Sequence, residues 1–281
     1  MRENAKFGAI DANRPVAEGA VPADEAAYFA SFYEATVRGE PTDRMTIGPV
    51  TEWESRFHYN AVENAILRAV ARLEPVPEPA MIAAWAMLKQ RKKARQLDIG
   101  SGTGHWIDFG RDVLFAGSAT GLELTPKMAE FLTAKYADCP EIRIATLDLV
   151  DASPAELGGP FDLVTAIGVM FHIIADERWE RAIANIAGAM APGALAFFGG
   201  DFGAVTADRQ FMRTDTFRTW REYAGAGGGP AKVTRRVRSL ARWCAVAAAN
   251  GLDVVDVVRT DRLPEFTVPE NDVLVLRKPA L

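Results

Sequence analysis

Two rhythms of apolar residues divide the chain. From residue 24 to 73 the apolar positions recur at helical spacing, whereas from about 95 onward short apolar runs alternate with helical stretches. Asp24 to Val37 places Ala27, Phe29, Phe32, Tyr33 and Val37 at that helical spacing before Gly39-Glu40-Pro41 breaks the pattern. Thr51 to Leu73 is expected to form a second helix, with Thr51 as N-cap and Glu54 three residues on, as in a capping box. Pro75, Pro77 and Pro79 end it, and a third helix is expected from Pro79 to Lys92. Residues 1–22, polar and containing Ala and Pro, read as loose.

Strands are expected near 95–99, 118–122, 141–146, 161–167 and 193–199, separated by helices near 104–115, 126–137 and 176–190. Such alternation predicts a parallel sheet with helices on both faces. The rhythm then breaks. Residues 201–232 carry Phe202, Phe211, Arg213, Phe217, Arg218, Trp220, Arg221 and Tyr223 before Gly225-Ala226-Gly227-Gly228-Gly229-Pro230, and read as an insertion beside the acceptor; a peripheral amphipathic helix with a surface loop is the plainer alternative. A helix is expected from Val233 to Asn250, with Gly251 as its C-cap. Leu252 to Val258 should pair with Asp272 to Leu276.

The chemistry begins where the first strand ends. Leu97-Asp98-Ile99-Gly100-Ser101-Gly102-Thr103-Gly104 is an apolar strand that runs into three glycines alternating with small hydroxyl residues. Glycine lets a backbone pass close to a ligand, and the following helix offers free N–H groups, so this is a nucleotide-cofactor loop. The dinucleotide fingerprint needs a glycine at its sixth position, which here is His105, and no Gly-Lys-Ser/Thr follows to make a P-loop.

The stretch resembles motif I of the class I methyltransferases that use S-adenosylmethionine, and further matches follow in order. Ser118 to Leu122 ends at Glu123, where that family places the acid that takes both ribose hydroxyls, a task suited to a carboxylate with two coplanar acceptor oxygens. Ile142 to Leu147 ends at Asp148-Leu149, similar to the family's adenine site, in which an aspartate accepts from the exocyclic amine and the neighbouring apolar residue packs on the ring. Phe161 to Gly168 resembles motif IV, whose end faces the methyl group, and Met190 to Phe198 resembles the family's Pro-Gly turn and fifth strand. The resemblance covers about residues 93–281 and implies a seven-stranded, mostly parallel Rossmann-like sheet with helices on both faces. By the same resemblance residues 1–92 form a helical lid that shuts the acceptor pocket. The cofactor is then S-adenosylmethionine, with S-adenosylhomocysteine as product, held by Asp98, Gly100, Ser101, Gly102, Gly104, Glu123, Leu124, Asp148, Leu149 and Ile167.

Composition narrows the acceptor. The chain of 281 residues has a net charge of −5 and a pI of about 5.4, a global field that repels nucleic acid and anionic membranes. A small molecule becomes the expected partner; a homodimer stays open. Lys89 to Arg95 and Lys232 to Arg242 are basic clusters, the first read as a helix end and the second as a solvated helical face. Cys139 and Cys244 are too few for a disulfide framework and have no metal-ligand spacing. No apolar leader or membrane-length run is visible, so a soluble cytoplasmic protein is expected.

A sulfonium methyl is already activated, so the protein must align the nucleophile, expel water and, where the acceptor carries a proton, remove it. No metal is needed for that. His58, His105 and His172 are the candidate bases, and His172, just after the fourth strand, is the best placed. Tyr59, His58, Phe171, His172, Asp201 and Phe202 are the expected acceptor contacts, with Trp53 and Trp179 as further aromatics near the pocket. A cofactor-binding regulatory or scaffold protein that has lost turnover is the alternative.

Overall fold

Strands covered on both faces read as nearly unbroken apolar runs, and Ala194 to Phe198 and Val273 to Leu276 are of that kind. The computed structural model describes residues 24–36, 39–43, 45, 51–73, 94–199, 208–214, 231–260 and 272–280. Asp201, Phe202, the helix expected over 79–92 and the glycine run 225–230 lie outside the described residues.

The central sheet contains β1 (Arg95–Ile99), β2 (Ser118–Leu122), β3 (Ile142–Ala145), β4 (Phe161–Ile167), β5 (Met190–Gly199), β8 (Asp253–Val258) and β9 (Val273–Arg277). Its order is β3-β2-β1-β4-β5-β9-β8. The first five strands are parallel, and β9 runs antiparallel between β5 and β8. The chain steps outward from β1 to β3 and then returns to β4, so β1 and β4 flank a topological switch point, where open α/β sheets bind ligands.

Alternation along each strand sends neighbours to opposite faces. Phe198, Leu274 and Leu276 meet Trp179, Ala182, Ile183 and Ile186 of α6 (Asp176–Ala189) and Trp243 and Ala247 of α7 (Leu240–Ala249). Phe197, Val273 and Val275 face the other way. There they meet Val62, Ala65, Ile66 and Ala69 of α2 (Glu52–Leu73) and Trp106 and Phe109 of α3 (His105–Asp112). α2 starts as its sequence predicts: the Thr51 hydroxyl accepts from the Glu54 N–H at 3.2 Å, and the Glu54 carboxylate accepts from the Thr51 N–H at 2.6 Å. Among the described residues the remaining α-helices are α1 (Glu25–Thr36), α4 (Pro126–Lys135) and α5 (Pro154–Leu157).

The helix expected over 233–250 is corrected. Ala231–Val237 is a strand, β7, paired antiparallel with β6 (Arg209–Thr214), and α7 begins only after Ser239, its N-cap. Val233, Thr234 and Val237 are β-branched and suit a strand. The basic run is not a solvated face either. Arg238 is 1% exposed, lies 4.5 Å over the Trp179 ring, and donates to Asp176 and to the Ile174 carbonyl. Arg236 and Arg242 also hold Asp176, at 2.7 and 3.1 Å, so the cluster locks β7 to the start of α6. Burial pulls the Arg238 guanidinium down to about 10, opposed by the Asp176 carboxylate.

Candidate functional site

Gly100, Gly102 and Gly104 all have positive φ, at 66°, 54° and 85°, which explains the glycines in the loop after β1. Space imposes a second demand. A Cβ on Gly100 would stand 2.4 Å from a Val169 methyl, and one on Gly104 would stand 2.3 Å from the Tyr136 hydroxyl. The loop is thereby pressed between the end of β4 and α4.

Glu123, one residue beyond β2, turns its carboxylate back onto this loop. It accepts from the Gly102 N–H at 2.9 Å and from the Thr125 N–H at 2.8 Å. Burial raises its pKa, and those backbone N–H groups oppose the rise. Beneath the loop Asp98 is fully buried. The Thr165 hydroxyl donates to one of its oxygens at 2.7 Å and accepts from the Gln96 amide at 3.0 Å, while Asp98 Oδ2 has no hydrogen-bond partner. Burial pushes the Asp98 carboxyl up to about 7, only partly offset by Thr165 and Ser101.

A cavity of 270 Å³ opens over the loop at the carboxyl edge of the sheet. It brings together Gly100, Ser101, Gly102, Glu123, Leu124, Asp148, Leu149, Ile167, His58, Tyr59, Phe171 and His172, twelve of the residues singled out in the sequence. Asp98 and Gly104 stand behind this wall. Trp179 does not reach it, because it is wholly buried against Trp243 at 4.7 Å, and Trp53 is 62% exposed.

The wall also contains residues that sequence reasoning missed: Glu25, Phe29, Met45, Arg178 and Arg235. No local motif marks them, since α1, α6 and β7 reach the cavity only through long-range packing. Arg178 donates to Asp148 at 2.7 Å and lies 3.3 Å from Glu25 of α1. Glu25 in turn accepts from the Ala175 N–H at 2.8 Å. Asp148 also accepts from the Val150 N–H at 2.9 Å.

The three histidines differ. His105 Nε2 meets Glu63 of α2 at 2.7 Å, and Nδ1 lies 3.4 Å from Asp43, which also accepts from the Thr103 hydroxyl. Burial alone would lower the His105 pKa, but Asp43 and Glu63 outweigh it and lift the ring to about 9. A protonated imidazole has no lone pair to offer, so His105 is a clamp that ties α3 to Glu63 of α2 and to Asp43. Burial, reinforced by the His105 charge, lowers His58 to about 4 and keeps it neutral. His172 ends a single 3-10 turn, Met170–His172, with its ring centroid 4.6 Å from Phe29 and 4.3 Å from Phe171.

The residues fit an adenosyl sulfonium. Glu123 lines the wall beside the glycine loop, Asp98 keeps a buried acceptor oxygen beneath it, and a Cβ on Gly168, also in the wall, would meet only open space.

Comparisons with known proteins give a family and similar folds. A family model described as a methyltransferase domain matches residues 62–257. A S-adenosylmethionine-dependent methyltransferase from Leishmania major is similar in structure with a TM-score of 0.59 at 12% identity, over 90% of this chain and 82% of its own. CalS10, an amino pentose methyltransferase from Micromonospora echinaspora solved with S-adenosylmethionine, gives 0.48 at 17% identity over 90% and 96%. The N-methyltransferase NodS from Bradyrhizobium japonicum, solved with S-adenosylhomocysteine, gives 0.47 at 16% identity over 79% and 99%. No curated protein matches the chain.

Proposed function

Because the chain belongs to the methyltransferase-domain family, whose cofactor is S-adenosylmethionine, we propose that it methylates a small molecule by in-line displacement in the cavity above β1 and β4. The observation that carries this is the Glu123 carboxylate, turned onto the Gly102 N–H at 2.9 Å in the wall of a cavity that also holds His172.

S-adenosylmethionine supplies a methyl group already activated on its sulfonium. The backbone of Gly100, Ser101 and Gly102 cradles the cofactor, and Gly104 sets the turn that aims the N-terminus of α3 at it. Glu123 accepts from the ribose hydroxyls with its remaining lone pairs. Leu124 and Leu149 pack on the adenine ring, and Asp148 accepts from its amine. Asp98 supports the loop from beneath, its carboxyl held by the Thr165 hydroxyl, and Ile167 borders the methyl. On the acceptor side His58, Tyr59 and Phe171 form the pocket with Phe29, and these rings expel water around the reacting centre. His172 accepts the acceptor's proton where the nucleophile carries one. α1 acts as the lid, over a core that includes α2, whose Val62, Ala65, Ile66 and Ala69 are buried beside Phe197, Val273 and Val275.

The test is binding followed by turnover. Calorimetry with S-adenosylhomocysteine should give a single site that Glu123→Ala weakens, and S-adenosylmethionine should be consumed only when an acceptor fraction is added. Absence of a binding heat for either compound would reject the proposal.

A further inference from the structure

We propose that Arg235 anchors the acceptor, and that the acceptor is a planar anion of the aromatic-carboxylate class; this rests on the methyl-transfer reading of the cavity. β7 separates its arginines by alternation. Arg236 turns to Asp176, as does Arg238 just beyond the strand, whereas Arg235 and Val237 turn to Phe171. The Arg235 guanidinium lies 4.3 Å over the Phe171 ring and lines the cavity. A guanidinium carries its N–H donors in one plane, in the fork that matches a carboxylate.

The charges at the cofactor end of the wall hold one another or backbone N–H groups. Glu123 takes the Gly102 and Thr125 N–H groups, and Glu25 and Asp148 both hold Arg178. His105 is held between Glu63 and Asp43. Arg235 lies over Phe171 at the end of a row of tilted rings, in which Phe171 is 4.3 Å from His172 and His172 is 4.6 Å from Phe29. That row begins two residues past Val169, the side chain pressed on Gly100 of the cofactor loop. A flat aromatic body suits the ring-lined wall, and a carboxylate on its rim would meet the guanidinium fork.

The experiment titrates benzoate, benzamide, benzylamine and phenyl phosphate into the full chain near neutral pH, with and without S-adenosylhomocysteine, by calorimetry and thermal shift. Benzoate should bind at least about tenfold more tightly than the other three, and Arg235→Gln should weaken benzoate about tenfold, the scale of lost hydrogen bonds to a charged group. Arg235→Lys, which keeps the charge without the fork, should fall between. S-adenosylhomocysteine binding by both variants serves as the check that they fold. No benzoate binding, equal binding of benzoate and benzamide, preference for benzylamine or phenyl phosphate, or unchanged benzoate affinity in Arg235→Gln would overturn the proposal. Failure of the wild-type chain to bind S-adenosylhomocysteine would strike the methyl-transfer reading instead, while the benzoate–benzamide contrast in cofactor-free protein still reports on Arg235.

Discussion

Arg178 donates to the Asp148 carboxylate at 2.7 Å, and through that bond the segment after β3 is tied to α1, because the same guanidinium lies 3.3 Å from Glu25. Asp148 is the residue expected at the adenine, and it shares one cation with Glu25 of α1. Glu25→Gln keeps an acceptor for the Ala175 N–H but removes the charge opposite Arg178. Local opening of α1 should then become easier by about 1–2 kcal/mol. Hydrogen exchange over residues 25–36 reads this directly: faster exchange there with an unchanged global melting temperature is expected, and unchanged exchange would disprove the latch.

His105 gives a second tie with a definite pH dependence. Its folded pKa, about 9, lies above the ordinary histidine value of 6.5, so the clamp on Glu63 and Asp43 contributes fully below about 6.5 and is lost as the pH rises through 9. The partly exposed carboxylates screen the pair, so about 1–2 kcal/mol is at stake. Wild-type thermal stability should fall between pH 6.5 and 9.5 by about that much, and Glu63→Gln should flatten the fall. Parallel curves for the two proteins would contradict this.

The motif residues were legible in the sequence because their constraints are local. A glycine at positive φ, an acid at a strand end and a capping box each leave a mark within a few residues, and Gly100, Glu123 and Thr51–Glu54 are found as the sequence predicts. Arg178, Glu25 and Arg235 carry no such mark, since each reaches the cavity from an element distant in the chain. The misread run Lys232 to Arg242 shows the same limit. Its arginines look solvated until β6 pairs with β7 and Asp176 and Trp179 come within reach, contacts that lie about sixty residues away.

Glu123 carries the most specific prediction about the cofactor. Glu123→Ala should cost about 2 kcal/mol of S-adenosylhomocysteine affinity, roughly thirtyfold, the scale of hydrogen bonds to a charged acceptor. Calorimetry showing unchanged affinity would remove Glu123 from the ribose.

His172 carries the prediction about proton removal. If it accepts the acceptor's proton, His172→Ala should lower turnover by about 10²- to 10⁴-fold while cofactor affinity stays near wild type, because the loss falls on the transition state. Turnover within a few-fold of wild type would leave alignment alone to account for the rate.

Methyl transfer itself is tested most directly with cofactor deuterated in its methyl group, incubated with the full chain and a fractionated metabolite extract. Mass spectrometry should reveal one product carrying the deuterated methyl, formed in step with S-adenosylhomocysteine and strongly reduced with Glu123→Ala. Tight cofactor binding with no labelled product in any fraction would contradict the account and leave a protein that binds S-adenosylmethionine without using it.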